Sequence, residues 1–157
     1  MPLRRAKMPV RRPTTMEEFE ARCRRQGLPV TSQRRAVLRA LAAREDHPTA
    51  DQLHEALRRE HPDLSRTTVY RVLETLVRLG VVTKVSHPGA AVHYDAFTGR
   101  HHHLVCDVCG RLSDLVLPGF DALPLPDTRA QDFEIADYSV HFHGRCRSCR
   151  PRTSRNA

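Results

Sequence analysis

Four stretches in the first part of the chain carry apolar residues at helical spacing, and each begins at a Thr or Ser that can cap a helix. Gly27, Pro62 and Gly80 stand where three of these stretches stop. The first and third open on a capping box, in which a Thr is followed three residues later by Glu or Gln. The first predicted helix starts at Thr14 or Thr15, and the others start at Thr31, Thr49 and Ser65. The four helices should end near residues 26, 44, 60 and 79.

The fourth predicted helix has the clearest division into two faces. We expect its buried face to contain Val69, Leu73, Leu76 and Val77. We expect its exposed face to contain Thr67, Tyr70, Arg71, Glu74 and Arg78. In the third helix the residues expected to point inward are Leu53, Ala56 and Leu57.

Two β-branched runs follow the fourth helix, at residues 81–85 and 91–94, and residues 86–90 separate them. This pattern predicts a β-hairpin. Helices followed by a hairpin make a winged helix-turn-helix, whose fourth helix would enter the major groove of DNA. The alternative is a small helical module with a solvated basic face.

The pattern changes near residues 95–100, where we place a domain boundary. Beyond it we predict strands at 111–117, 133–135 and 138–143. A helix should begin at 120–132, although Pro124 and Pro126 argue against a long one. The fold class is therefore α+β. We divide the chain into a basic disordered arm (1–13), a winged-helix domain (14–95), an α/β dimerisation domain stapled by zinc (96–150) and a tail (151–157).

The net charge of +8 lies entirely in the N-terminal part of the chain. Residues 1–90 contain 18 Lys or Arg and 10 Asp or Glu, whereas residues 91–157 contain 8 of each. This asymmetry indicates a polyanionic partner for one domain, most simply double-stranded DNA. The basic N-terminus lacks the apolar stretch of a signal peptide, and no run is long enough to span a membrane, so we expect a cytoplasmic protein.

Two Cys-x-x-Cys pairs provide the candidate metal chemistry of the second domain. Cys106, Cys109, Cys146 and Cys149 make a complete tetrahedral set for zinc, and four thiolates leave no open position, so such a site is structural. The alternatives are two disulfides or a thioredoxin-like redox pair; a reducing cytosol and the lack of a βαβ context favour zinc. Cys23 has no nearby partner in sequence and reads as an ordinary half-buried thiol.

Three consecutive histidines, His101, His102 and His103, precede the first Cys-x-x-Cys pair, and each such pair is called a knuckle below. If the four thiolates bind zinc, the histidine side chains remain for another role. Imidazoles beside carboxylates suit a second metal that exchanges more readily. The alternative is a solvated histidine loop.

The chain resembles the ferric-uptake-regulator family of bacterial metal-dependent repressors over about residues 15–150. The matching motifs are Val30-Thr31-Ser32-Gln33-Arg34, His47-Pro48-Thr49-Ala50-Asp51, Thr68-Val69-Tyr70-Arg71 and the segment 101–110. The resemblance implies a homodimeric repressor, not an enzyme, with a winged helix, a dimerisation domain and a regulatory metal that fixes the angle between them. The predicted DNA-binding residues are Arg34, Thr67, Tyr70 and Arg71.

The same resemblance implies the regulatory ligands, which fall on His47, Asp95, His101, His103 and Asp114. This set is similar to that of the peroxide-sensing branch and would hold Fe(II) or Mn(II). Iron sensors of the family typically carry Glu in place of Asp95, and zinc sensors usually supply a Cys that residues 81–100 lack. Tyr138 stands where some members have a His of a third metal site.

Each ligand also has a plainer interpretation, His47 as a turn residue and the two aspartates as loop or surface carboxylates. We therefore expect a metal-dependent repressor that senses peroxide. The alternatives are an iron- or manganese-responsive uptake repressor and, from a different class, a zinc-ribbon redox protein, in which the basic N-terminal part would have no purpose.

Overall fold

The computed structural model describes residues 12–86, 91–99, 101–117, 119–120, 123–136 and 138–151. It divides into two compact units, residues 1–99 and 100–157. The elements are β1 (Arg12–Pro13), α1 (Met16–Arg25), α2 (Ser32–Ala42), α3 (Ala50–Leu57), α4 (Arg66–Arg78), β2 (Thr83–Val85), β3 (His93–Asp95), β4 (Phe97–Thr98), β5 (His102–Cys106), β6 (Leu112–Leu115), a 3-10 helix (Arg129–Gln131) and β7 (His141–Gly144).

All four predicted helices are confirmed, and each starts at the expected cap. The side-chain oxygens of Thr15, Thr31, Thr49 and Ser65 each accept a hydrogen bond from the backbone N–H three residues later. The capping boxes at Thr15 and Thr49 are complete. Since each cap satisfies a backbone donor that the first helical turn leaves open, these residues fix where the helices begin.

The four helices bury their apolar faces in one core. Phe19 and Cys23 of α1, Val37 and Leu38 of α2, and Leu53 of α3 are fully buried in it. The fourth helix adds Val69, Val72, Leu73 and Leu76 to this core. Cys23 is therefore more deeply buried than the half-buried thiol that we predicted. One packing prediction is wrong: Ala56 is exposed, because the buried face of α3 runs through Ala50, Leu53 and Leu57. Val77 is half-buried and packs against the edge of the core.

Strands β2 and β3 form the predicted antiparallel hairpin, pairing Thr83 with Asp95 and Val85 with His93. Its predicted connection falls mostly on residues 87–90, which lie outside the described residues. The hairpin is followed by a pairing that the sequence did not predict, between β4 and β1. The Thr14 hydroxyl then donates to the Val81 carbonyl at 2.7 Å. These contacts hold residues 12–14 against the helical unit, so Arg12 and Pro13 are ordered, whereas we predicted a disordered arm over 1–13. Residues 1–11 of that arm lie outside the described residues.

The second unit is built on a three-stranded sheet in the order β6-β5-β7. Strand β5 pairs antiparallel with β6 and parallel with β7. In the parallel register, Cys106 at the end of β5 lies beside Gly144 at the end of β7. The segments that carry the two cysteine knuckles therefore leave the sheet at the same end.

The predicted helix at 120–132 is wrong over its described residues, apart from the short 3-10 helix Arg129–Gln131. Pro124 and Pro126 lack the N–H groups that a helix needs, and the residues around them have no regular structure. The predicted strand at 133–135 is also absent, and the strand predicted at 138–143 is His141–Gly144. The division between the units follows Gly99, because β4 pairs with β1 of the first unit; our sequence-based boundary falls after residue 95.

Candidate metal centres and DNA-binding helix

The four cysteines of the two knuckles come together at one end of the second unit's sheet. Their sulfur atoms all lie within 4.8 Å of one another, and the Sγ atoms of Cys109 and Cys146 are 3.8 Å apart. A tetrahedron with metal–sulfur bonds of about 2.3 Å has sulfur–sulfur edges of about 3.8 Å. The set therefore fits a structural zinc ion in both ligand type and spacing.

Backbone hydrogen bonds prepare one of these sulfurs for metal binding. The Cys146 N–H donates to Cys106 Sγ at 3.3 Å. This bond and a second one from the Cys109 backbone lower the pKa of Cys106 to about 6. Hydrogen bonding to Cys146 instead raises the pKa of Cys149 to about 12. Four thiolates in so small a space need a cation, because otherwise part of the set keeps its protons.

In the first unit, His47 and Asp95 form a buried pair. Each is 1% exposed, and His47 Nδ1 lies 3.7 Å from Asp95 Oδ1. His47 has a left-handed backbone (φ 47°), which histidine adopts more readily than most residues. Strand β3 holds the turn, because Tyr94 N–H donates to the Pro48 carbonyl at 3.0 Å and His93 Nδ1 contacts the His47 carbonyl. The strand that carries Asp95 thus also positions His47.

In the second unit, His101 and His103 lie around Asp114. His101 Nε2 is 3.3 Å and His103 Nε2 is 3.6 Å from Asp114 Oδ1, and all three residues are largely buried. Strand pairing explains this arrangement, since His103 is directly opposite Asp114 in the β5–β6 register. Because side chains alternate along a strand, residues 101 and 103 point to the same face. The alternative of a solvated histidine loop is wrong, since these residues are at most 8% exposed.

His102 points to the opposite face of the sheet and has a packing role. It is fully buried, stacks on Tyr138 with ring centroids 6.2 Å apart, and accepts a hydrogen bond from the Val140 N–H at Nδ1. The Tyr138 hydroxyl in turn donates to the Phe120 carbonyl. The alternation of side chains between the two faces of a strand is the sequence signal that places His102 on the opposite face from His101 and His103. His93 was missed altogether, because its partner is a backbone carbonyl distant in sequence.

The fourth helix, α4, presents the residues predicted to contact DNA. Thr67, Tyr70 and Arg71 are exposed, and so are Glu74 and Arg78. Arg34 is half-buried at the start of α2, where its guanidinium donates to the Pro29 carbonyl. Lys84 of β2 pairs with Glu74 at 2.8 Å, and this contact connects the hairpin to α4. Tyr94 donates to the same carboxylate, and burial raises the pKa of Tyr94 to about 12.

None of the described helices has both the length and the hydropathy to cross a membrane.

Comparison with known proteins identifies a family. The sequence profile of the ferric uptake regulator family matches residues 25–143. The peroxide-responsive repressor PerR of Staphylococcus epidermidis is 30% identical over 135 residues, covering 86% of this chain and 90% of that protein. The PerR of Staphylococcus aureus is also 30% identical, over 85% of this chain and 90% of that protein.

Solved structures agree on the fold. The ferric uptake regulator of Francisella tularensis, solved with iron, is 27% identical and superimposes with a TM-score of 0.67, over 80% of this chain and 96% of that one. The Helicobacter pylori regulator reaches a TM-score of 0.71 at 18% identity, over 88% of this chain and 93% of that one. With its capped helices, β-hairpin and paired cysteine knuckles, this chain belongs to the ferric uptake regulator family of metal-responsive transcriptional repressors.

Proposed function

We propose that this protein is a DNA-binding repressor that senses peroxide through a regulatory Fe(II) or Mn(II) ion. The ligands would be His47, Asp95, His101, His103 and Asp114. The observation that carries the proposal is the chemistry of these buried donors, which are imidazoles and carboxylates without a thiol. Such a mixed nitrogen and oxygen set accepts iron or manganese and lacks the thiolates that would favour zinc.

The proposed ligands belong to both compact units. A regulatory role for the ion follows from this division. His47 and Asp95 belong to the first unit, and the other three belong to the second. An ion that needs donors from both would bind most tightly when the units adopt one particular angle. The free energy of metal binding would then select the DNA-binding arrangement of the repressor.

The peroxide-sensing step would take place at the ligands themselves. These residues would hold the ion, and iron in this place would supply the electron that activates hydrogen peroxide, whereas manganese would not. Hydrogen peroxide would supply one oxygen atom to the imidazole carbon beside the ligating nitrogen of His47 or His101, and its other oxygen would leave as water. Oxidation there would remove a donor, weaken metal binding and release the DNA. The 30% identity to peroxide-responsive repressors over most of the chain supports this choice of signal.

On the DNA side, we propose a cytoplasmic homodimer whose two α4 helices bind a two-fold symmetric operator. The second unit would form the dimer. Arg34, Thr67, Tyr70 and Arg71 would contact DNA, with Arg71 at a base edge. The net positive charge of residues 1–90 supports this role for the first unit.

A second candidate function is an iron- or manganese-responsive uptake repressor. The family name and the iron-containing relative from Francisella tularensis favour it. Such a repressor would use the same ligands and the same DNA contacts, but it would release DNA only when the metal is scarce.

The deciding experiment is mass spectrometry of the iron-loaded protein after brief exposure to hydrogen peroxide, with the manganese-loaded protein as control. A single added oxygen on the peptide containing His47 or His101, together with loss of DNA binding, supports peroxide sensing. If neither peptide gains oxygen and DNA binding persists, the protein is an uptake repressor.

A further inference from the structure

The first residue of α4 takes part in a side-chain cluster that the predicted DNA contacts leave unexplained. Arg66 donates through Nε and Nη2 to the two carboxylate oxygens of Asp51, at 2.6 and 2.7 Å. The Arg66 guanidinium carbon lies 5.9 Å from the centre of the Tyr70 ring. The Tyr70 hydroxyl also donates to Asp51, at 3.3 Å. Asp51 thus orients an arginine and a tyrosine of α4 together.

Arg66 is a cation at the N-terminus of α4, where helices usually favour acidic or neutral residues. The N-terminus of a helix carries partial positive charge, so a cation at the first position is unfavourable. The first turn of α4 contains no acidic residue. Asp51 of the preceding helix supplies the missing negative charge. An arginine at such a place, with a bidentate carboxylate partner, indicates a function outside helix stability.

The contact with Asp51 leaves a defined part of the guanidinium available. Asp51 contacts the edge formed by Nε and Nη2, so Nη1 and the second Nη2 hydrogen point away from this carboxylate. The Arg66 side chain is 64% exposed. Its orientation is fixed by a bidentate carboxylate and by an aromatic ring, which reduces the conformational entropy lost on binding.

We infer that Arg66, held by Asp51 and Tyr70, reads a guanine in the major groove. A guanine offers two acceptors, O6 and N7, which match the two parallel donors at the end of an arginine. The N-terminal residues of a recognition helix are the ones that reach base edges. A phosphate could also accept two parallel donors, but the place of Arg66 in the first turn of α4 favours a base edge. Asp51 is therefore a positioning residue for the reading of DNA sequence.

This inference rests on the proposed function, because it requires that α4 enter the major groove. The test uses the manganese-loaded full chain and two DNA probes. One is a duplex selected from a random-sequence library by the wild-type protein, and the other is a random-sequence duplex of equal length. The variants are Arg66→Ala, Arg66→Lys and Asp51→Asn. Arg58→Ala is the matched control, because Arg58 forms an exposed pair with Glu55 on α3.

Repeated library selection with Arg66→Ala should lose the preference for guanine at one position in each half-site. Affinity for the selected duplex should fall about tenfold to a hundredfold, with little change for the random duplex or in the salt dependence. Arg66→Lys should behave similarly, because an ammonium lacks the paired donors. Asp51→Asn should weaken the guanine preference without reducing affinity for the random duplex. Arg58→Ala should match the wild type.

Four results would overturn the inference. If Arg66→Ala weakens binding to both duplexes equally and lowers the salt slope by about one, Arg66 contacts a phosphate. If Arg66→Ala is indistinguishable from Arg58→Ala, Arg66 does not contact DNA. A wild-type protein that enriches no sequence would overturn the proposed function and this inference together, whereas enrichment that Arg66→Ala leaves unchanged overturns this inference alone.

Discussion

Cys146 connects the two cysteine knuckles most directly. Its backbone N–H donates to Cys106 Sγ, and its own sulfur lies 3.8 Å from Cys109 Sγ. We predict that Cys146→Ser lowers bound zinc from about one ion per chain to none and dissociates the dimer, since binding of a structural metal is coupled to folding. Elemental analysis and size-exclusion chromatography measure both effects.

The matched control for this variant is Cys23→Ala. Cys23 is fully buried in the helical core, and burial raises the pKa of its thiol. The Cys23→Ala protein should keep its zinc and its dimer. Retention of both in Cys146→Ser would contradict the zinc assignment.

Residue types and short spacings are the part of the candidate sites that sequence alone predicts well. The Cys-x-x-Cys pairs indicated four clustered thiols, and these are found together. The sequence could not show that Arg66 pairs with Asp51, or that His93 contacts the His47 carbonyl. Those partners lie 15 and 46 residues apart, and only the packing of α3, α4 and β3 brings them into contact.

At the scale of elements, the start of α1 depends on Glu18. Its carboxylate completes the capping box with Thr15 and pairs with Arg12 of β1. The hydrogen bond from Arg12 is the largest cause that lowers the pKa of Glu18, to about 2. A depressed folded-state pKa stabilises the protein above the unfolded pKa, and this contribution is lost as the pH falls towards the folded value.

We therefore predict that Glu18→Gln lowers the free energy of unfolding at pH 7 by less than about 1 kcal/mol, because the pair is exposed. The difference from wild type should shrink between pH about 4.5 and about 2, where the wild-type carboxylate takes up its proton. Urea unfolding across this pH range measures the effect. Glu17→Gln, which changes a neighbouring first-turn carboxylate, is the control. A difference that grows on acidification would contradict the assigned role of Arg12.

Helices were predicted better than strands because their signals are local. A cap, a periodic face and a stop signal all lie within one stretch of sequence. Strand β7 pairs in parallel with β5, from which it is separated by residues 107–140. No local pattern specifies that pairing. The helix expected at 120–132 fails around Pro124 and Pro126, which we name from the sequence as residues that oppose a long helix.

At the scale of the whole molecule, the proposed choice of signal depends on Asp95. Its side chain is 1% exposed, and its Oδ1 accepts a hydrogen bond from the Phe97 N–H at 2.8 Å. We predict that Asp95→Glu keeps metal-dependent DNA binding but loses most of its peroxide sensitivity, because the longer side chain changes how the carboxylate approaches iron. DNA-binding titrations before and after peroxide treatment of the iron form measure this.

The matched control is Asp63→Glu, which makes the same change at an exposed position of the first unit. It should respond to peroxide like the wild type. An Asp95→Glu protein with full peroxide sensitivity would show that carboxylate length does not set the signal.

The parallel pairing of β5 with β7 also has a consequence for how the chain is made. The helical unit has its own core within residues 1–99, so it can fold while later residues are still being synthesised. The second unit has to wait, because the strand that covers one edge of β5 and two of the four zinc-binding thiols come from residues 141–149. A nascent chain that terminates early would therefore release a folded helical unit with an incomplete second unit. We expect such fragments to be poor repressors and ready targets for proteases.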